Sequence, residues 1–439
     1  MKKVTILGAG ITGLFLAYKL SDNFKVVLIE KEKNIGGMST SFKHKDFLLD
    51  YGPHKIYTEL PGIIEEITKL VDLNKIKKIN SIYLEKTYFD FPLQISQLLK
   101  KIPLKGFKAG LDIFSNFLGK KQETNYENFL INNFGTTIYS LIFKNYAKKI
   151  WISPEKLDID LAKKRVAISN IFQLLKSILF KDTEKISAEY FYYPKISISQ
   201  LIDSLEKGIK KNNGEILTNK KITSIKTKKQ VEIKMKNKKI KSDILVSTIP
   251  LTDLTNYLGE DVLINNAKNL NYNSTNIFYF ILKKKKALKE NWIFFPELKI
   301  PFHRISEQKS FSDKCCPKEK TALMIETTLD KKYKKEIKQK LIDLNLIQEK
   351  EIKEIFIKKL EKAYPLYTKG YNSYLENILD YLDNEERIYL LGRHGLFNYN
   401  NMDQCIDMAK RLAKHLIQNK TKRQWKKTRK VFNSYRIVD

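Results

Sequence analysis

The stretch VTILGAGITGLFLAYKLSDNFKVVLIEKEKNIGG, Val4 to Gly37, decides the fold. Val4 to Leu7 is a short run of buried type, Ile11 to Leu20 carries a helical apolar period, and Lys25 to Glu30 is rich in β-branched residues. That is the strand–helix–strand order of a βαβ unit. Between the first strand and the helix stands Gly8-Ala9-Gly10-Ile11-Thr12-Gly13. Glycines at this spacing permit a tight turn and let backbone N–H groups approach a pyrophosphate, and the helix N-terminus adds partial positive charge. Glu30 closes the second strand twenty residues after Gly10. A carboxylate there can accept hydrogen bonds from the hydroxyls of an adenosine ribose and disfavours a 2′-phosphate. Strand, glycines, helix, strand and acid in one register predict a dinucleotide-binding domain rather than a glycine-rich turn.

Beyond the acid, Gly36 and Gly37 form a second glycine pair, where side chains would obstruct an extended ligand. The segment Glu30-Lys31-Glu32-Lys33-Asn34-Ile35-Gly36-Gly37 resembles the FAD signature of the amine oxidase and protoporphyrinogen oxidase superfamily. The resemblance implies FAD as the cofactor, bound without a covalent link, with Met38 and Ser39 beside its pyrophosphate or flavin. It also implies an α/β fold: a Rossmann-like FAD-binding domain of the glutathione-reductase type, with a helical subdomain and a substrate domain built on a mixed or antiparallel sheet.

At 439 residues the chain exceeds one compact core, and two or three subdomains around a shared cleft are expected. The 81 Lys and Arg against 49 Asp and Glu leave a formal charge of +32, which attracts polyanions. Lysine is spread through the chain together with Ile and Asn, so part of the excess is solvated background. The sharper reading is a nucleotide-type substrate or an anionic membrane surface. Lys420 to Lys427 gathers cations around Trp425, which suits a lipid headgroup region and predicts peripheral contact with the inner membrane surface. No recognition motif accompanies the charge, so nucleic acid is not an expected partner. Cys315, Cys316 and Cys405 have neither an even framework nor a CxxC spacing, so no metal site is expected and a reducing cytoplasm fits. Lys2 and Lys3 precede an apolar run that glycines interrupt too early for a signal peptide. Nowhere do about 18 apolar residues run together, so no membrane-spanning helix is expected.

Helical spacing dominates after residue 61, as in Ile131 to Ile150. Ile198 to Lys210 reads as a further amphipathic helix, stopped by Asn212-Asn213-Gly214 and followed by a strand, Glu215 to Leu217. Lys221 to Ile225, Val231 to Met235, Ile244 to Thr248, Ile277 to Leu282 and Ala322 to Thr327 read as strands of a mixed sheet. Lys331 to Leu360 is charged and reads as a helix pair, Tyr389 to Gly392 as a last strand, and Met402 to Leu416 as a last helix. The expected division is FAD-binding segments at 1–61, 186–250 and 381–419, a mainly helical subdomain at 62–185, a substrate domain at 251–380 and a basic tail at 420–439.

Four further segments resemble one branch of that superfamily, the UDP-galactopyranose mutases and their protoporphyrinogen-oxidase-like relatives. Asp50-Tyr51-Gly52-Pro53-His54 is similar to the turn that lies against the isoalloxazine, which implies a flavin contact for Gly52 and His54. Tyr146 to Trp151, with Arg165 fourteen residues on, resembles the segment carrying a nucleotide-stacking Tyr, a substrate-lining Trp and a diphosphate-binding Arg. His303 to Lys309 implies a second diphosphate arginine at Arg304. Gly392 to Asp403 resembles the closing motif, in which Arg393 touches FAD, Tyr399 reaches a substrate phosphate, and the helix opening at Met402 faces the flavin. Arg and Tyr suit these tasks, one offering a planar bidentate fork and the other one directed hydrogen bond. The chain departs from the branch at Asn401, where an acid is frequent, at Tyr57, where a second histidine is frequent, and in its greater length. The resemblance implies a small-molecule substrate, a nucleotide sugar, isomerised through N5 of the reduced flavin while Arg165, Arg304, Tyr399 and His54 serve the chemistry. The alternative on the same fold is an FAD oxidoreductase of the protoporphyrinogen oxidase or amine oxidase kind, abstracting hydride from a C–H bond.

Overall fold

The computed structural model describes residues 1–119, 122–165 and 189–437. Five parallel strands form its first sheet, in the order Ile388–Leu390, Ile244–Ser247, Lys3–Leu7, Lys25–Ile29 and Glu215–Leu217. Val4, Ile6 and Leu7, and Val26 to Ile29 beside them, are all buried, the near-continuous apolar run that a parallel sheet covered on both faces requires. Helix Ile11–Leu20 packs against helices Ser199–Lys211 and Met402–Ile417, so the sheet and its cover draw on the start, the middle and the end of the chain. A three-stranded antiparallel sheet, Ile222–Thr227, Val231–Met235 and Lys238–Ser242, is inserted between the last two parallel strands to be reached along the middle of the chain.

The second large sheet has seven strands, in the order Ile352–Leu366, Asn271–Leu282, Thr321–Thr327, Arg304–Glu307, Trp292–Phe294, Asn80–Leu84 and Thr87–Asp90. All its pairings are antiparallel except that of Trp292–Phe294 with Asn80–Leu84. The period of two along Ile277 to Leu282 divides its side chains between two cores. Phe278, Phe280 and Leu282 join Ile337 and Leu341 of helix Lys334–Asp343, while Ile277, Tyr279 and Ile281 join Phe47 and Leu49 of the hairpin Ser41–His44 and Phe47–Asp50. The helical region comprises Ile95–Lys101, Pro103–Leu118, Tyr126–Ile138, Lys144–Ile150 and Ile159–Arg165. An α/β fold with a Rossmann-like domain, a helical part and a mixed sheet is therefore present, as expected; the part of the helical reading on residues 166–188 lies outside the described residues.

Three expectations are corrected. Lys331 to Leu360 is not a helix pair, because the long strand Ile352–Leu366 occupies its second half. There Ile355 and Ile357 pack on one core and Phe356 and Leu360 on the other, and pairing with Asn271–Leu282 overrides the helical preference of a Lys- and Glu-rich stretch. The strands expected to form one mixed sheet after residue 220 divide among three sheets. Within the mainly helical 62–185 region, Asn80–Leu84 and Thr87–Asp90 complete the edge of the seven-stranded sheet. The basic tail is a helix, Lys422–Val431, docked on the body of the protein. Trp425 is 1% exposed and rests against Tyr389, His415 and Phe432, so it does not face a lipid headgroup region. Lys422 donates to the Ile388 and Glu385 carbonyls, and Arg429 pairs with Asp383 at 2.7 Å, so two of the tail's cations are structural. Among the described residues no helix is long and apolar enough to cross a membrane.

Candidate functional site

The glycine loop, the strand ends and the closing loop surround one cleft of about 640 Å³. It opens where Gly8, Glu30, Thr248 and Arg393 follow four of the parallel strands, the carboxyl-end position at which open α/β sheets bind ligands. A Cβ built on Gly10 meets no protein atom within 4 Å, so the space beside it is left to a ligand. One built on Gly13 would lie 2.0 Å from the Gly8 carbonyl oxygen, so this glycine serves the close packing of helix on strand. Gly36 N–H donates to the Ala9 carbonyl at 2.7 Å, which brings the second glycine pair onto the first loop. Gly37, with φ +57°, sits with its Cβ position 3.3 Å from Gly10 Cα. Glu30 accepts from Ala9 N–H at 2.8 Å through one carboxylate oxygen and from Glu32 N–H at 3.0 Å through the other. It thereby pins the loop while its remaining lone pairs face the cleft. Met38 and Ser39 line the same wall.

The turn Tyr51-Gly52-Pro53-His54 forms the floor further along. A buried network beneath it holds it in place. Asp50 accepts from Ser41 Oγ at 2.6 Å and from Tyr193 Oη at 2.7 Å, and Gln308 takes the Asp50 N–H at 3.1 Å while donating to Tyr193 Oη at 3.1 Å. Tyr279 Oη donates to the Asp50 carbonyl at 2.6 Å. His54 Nδ1 lies 3.6 Å from Asp50 Oδ2, too far for a hydrogen bond, and is buried without a hydrogen-bond partner among the described residues. At the opposite rim Asn401 caps the helix Met402–Ile417 through a reciprocal pair with Gln404, and Asn401 and Met402 line the cleft, which aims the helix N-terminus into it. Burial raises Asp403, in the first turn, to about 6.

Arg165 and Tyr399 meet at the wall facing the glycines. Arg165 Nη1 lies 3.5 Å from Tyr399 Oη, and the guanidinium stands over the rings of both Trp151, at 5.6 Å, and Tyr399, at 5.5 Å. Tyr364 stacks on Tyr399 with centroids 5.0 Å apart and an interplanar angle of 8°. Arg393 covers both tyrosines, at 5.1 and 5.7 Å, and braces the loop by donating from Nε to the Asn400 carbonyl at 2.7 Å. Burial and the neighbouring Arg393 lower His394 to about 4.

Arg304 reaches the cleft from the seven-stranded sheet, paired across to Glu326. Its Nε and Nη2 donate to the Glu326 carboxylate at 3.1, 3.0 and 2.7 Å. His303 Nε2 is 3.5 Å from the same group. Burial alone would raise Glu326, but the Arg304 guanidinium and His303 hold it at about 2. Burial keeps His303 below its usual range. A Cβ on Gly52 would come within 3.2 Å of Glu326 Oε1, so this ion pair abuts the turn that carries His54.

Of the residues singled out from the sequence, Gly8, Gly10, Glu30, Gly36, Gly37, Met38, Ser39, Gly52, His54, Arg165, Arg304, Arg393, Tyr399 and Met402 line this one cleft. Three do not. Gly13 acts in packing, Trp151 lies behind Arg165 and Tyr399 and is 7% exposed, and Tyr146 stands edge-on to His303 and Phe294. Trp151 and Tyr146 back the wall instead of forming it, because their rings fill the joint between helical region and sheet. Glu326, Tyr364 and Trp292 were missed and line the cleft. A lone acid within the buried strand TALMIET was a legible signal for Glu326.

The NAD(P)-binding Rossmann-like domain family matches residues 6–66. The UDP-galactopyranose mutase of Mycoplasma genitalium is 27% identical over 161 residues, 34% of this chain and 40% of the mutase, so the match spans less than half of that relative. A crystal structure of reduced UDP-galactopyranose mutase superimposes with a TM-score of 0.85 at 20% identity, over 95% of this chain and 94% of the other. A candidate protoporphyrinogen oxidase from Exiguobacterium gives a TM-score of 0.75 at 15% identity, over 95% and 99%. The likeness to this branch of the FAD-dependent amine oxidase superfamily thus extends from the motifs to the whole fold, and the cleft, with its open Gly10 and second glycine pair, fits FAD.

Proposed function

We propose that the chain is an FAD-dependent isomerase of nucleotide sugars, similar to UDP-galactopyranose mutase. The observation that carries the reading is the Arg165–Tyr399 pair, held across the cleft from the glycine cradle and stacked into an aromatic wall. A guanidinium and a phenol at one point suit a diphosphate, which takes charge-assisted hydrogen bonds from both. Gly8, Gly10, Gly36 and Gly37 would hold the FAD pyrophosphate, Glu30 the adenosine ribose, and Gly52, His54 and the N-terminus of helix Met402–Ile417 the flavin ring. When bound and reduced, the flavin supplies a ring nitrogen able to act as a nucleophile. The chain's own part is to keep the leaving diphosphate in place. Arg165 and Tyr399 grip it from one side, and Arg304, whose Nε and Nη2 are taken by Glu326, offers Nη1 from the other. Tyr364 fixes the plane of Tyr399, and Arg393 fixes the loop that presents it.

Anaerobic titration of UDP and UDP-sugars against the reduced protein tests this. Arg165→Ala or Arg304→Ala should weaken nucleotide binding by roughly ten- to a hundredfold, the value of one charge-assisted hydrogen bond of about 1.5–3 kcal/mol, with FAD content unchanged. Arg165→Lys should recover only part, since an ammonium lacks the planar fork. Absence of nucleotide affinity in the reduced wild type, with bleaching of oxidised flavin by a C–H donor, would overturn the reading in favour of hydride transfer.

A further inference from the structure

The helix Pro103–Leu118 is turned inside out. Leu104, Phe107, Leu111 and Phe114 are 87%, 65%, 54% and 65% exposed, and their spacing of three and four places them on one stripe. Leu99, on the preceding helix Ile95–Lys101, is 45% exposed as well. The side that meets the protein is mostly small and polar, with Ile113 its one large apolar contact among the described side chains. Gly106 and Ala109 are buried, and a Cβ on Gly106 would sit 2.6 Å from Leu99 N, so the two helices touch backbone to backbone. Asp112 accepts from Thr137 N–H at 2.6 Å and Asn116 donates to the Ile131 carbonyl at 2.5 Å, so the only acid of the helix faces inward. A helix that builds core buries its Leu and Phe. This one anchors through Gly106, Ala109, Asp112, Asn116 and a single large apolar residue, Ile113, and presents Leu104, Phe107, Leu111 and Phe114 outward.

Cations flank the stripe. Lys100, Lys101, Lys105 and Lys108 are exposed, on a chain of formal charge +32. Lys105 is tied to Glu85 at 2.6 Å and Lys101 to the Tyr88 carbonyl, while Lys100 and Lys108 are exposed on the same two helices. We propose that this helix is a membrane-docking element, lying in the headgroup region of an anionic bilayer with Leu104, Phe107, Leu111 and Phe114 toward the acyl chains and the lysines at the lipid phosphates. An apolar face rimmed by lysine is the pattern of helices that lie in the plane of the interface. A second copy of the chain is the poorer occupant, because a two-fold contact would set one lysine rim against the other.

The test is flotation of the full-length, FAD-loaded protein with vesicles of phosphatidylcholine alone or with about 30% phosphatidylglycerol. Wild type should float with the anionic vesicles and much less with the neutral ones, and salt should weaken it. Phe107→Ser/Phe114→Ser should cut the bound fraction about tenfold while FAD content and melting temperature stay at wild-type values, since both side chains face solvent. Lys420→Ala/Arg423→Ala/Lys427→Ala should float as wild type. The proposal is overturned if wild type does not float, if the double Phe variant floats equally, or if sedimentation velocity shows a lipid-free dimer that the Phe substitutions dissociate while vesicles bind neither protein.

Discussion

Glu326 is buried at the joint of sheet and cleft, and its charge is held there chiefly by the two-point fork of Arg304, with His303 beside it. Removing one partner of such a pair leaves the other uncompensated, so Glu326→Gln should cost about 3–5 kcal/mol in urea unfolding. The pH dependence has a definite sign. Glu326 is held at about 2 in the folded chain, against about 4.3 for a free glutamate. Its contribution is therefore complete above the unfolded value and disappears as pH falls through the folded one. Stability of the wild type should decline across that acid window, and Glu326→Gln should show a flatter decline. Gly10 acts by what it lacks: no protein atom lies within 4 Å of its Cβ position, so only a ligand meets a side chain placed there. Gly10→Val should leave the circular dichroism spectrum intact and abolish FAD retention, read as the ratio of absorbance at 450 to 280 nm; full occupancy would remove the cradle assignment.

Helix Lys422–Val431 is joined to the body through Trp425, Lys422 and Arg429, with the cations between them left outside. Trp425→Ala should therefore cost about 3–5 kcal/mol by denaturant unfolding, whereas Lys427→Ala should stay within about 0.5 kcal/mol. From the sequence the same segment read as a membrane-facing cationic run, because a period that spaces Lys422, Trp425 and Arg429 on one face is masked where nearly every neighbour is also charged. Helices Ile11–Leu20 and Met402–Ile417 were legible, since each begins at a glycine or capping residue and carries an apolar period of its own. Strand Ile352–Leu366 was not, because its conformation is set by a partner some eighty residues earlier, Asn271–Leu282. The site divides in the same way. Gly8, Gly10, Gly36 and Glu30 act through local backbone geometry and can be read in order, whereas Glu326 and Tyr364 gain their roles from the side chains they meet across the sheet and the closing loop.

At the scale of the molecule, the cleft collects groups from the parallel sheet, the seven-stranded sheet, the helical region and the closing loop, so a ligand that fills it ties these parts together. Free FAD at about a hundred times its dissociation constant should add about 2.7 kcal/mol to stability. Differential scanning fluorimetry of apo and reconstituted protein should show the shift, and an apo protein melting at the same temperature would argue against a common cofactor cleft. The strand order has a further consequence for synthesis. Lys3–Leu7 leaves the ribosome before its partner strands, yet the sheet it centres is finished only by Ile388–Leu390. At roughly 5–20 residues per second, the opening strand waits on the order of 20–80 s for its last companion. During that interval a nascent chain displays an incomplete apolar sheet and no finished seat for a nucleotide, which makes the emerging polypeptide a client for chaperones and defers cofactor capture until Ile388–Leu390 has emerged.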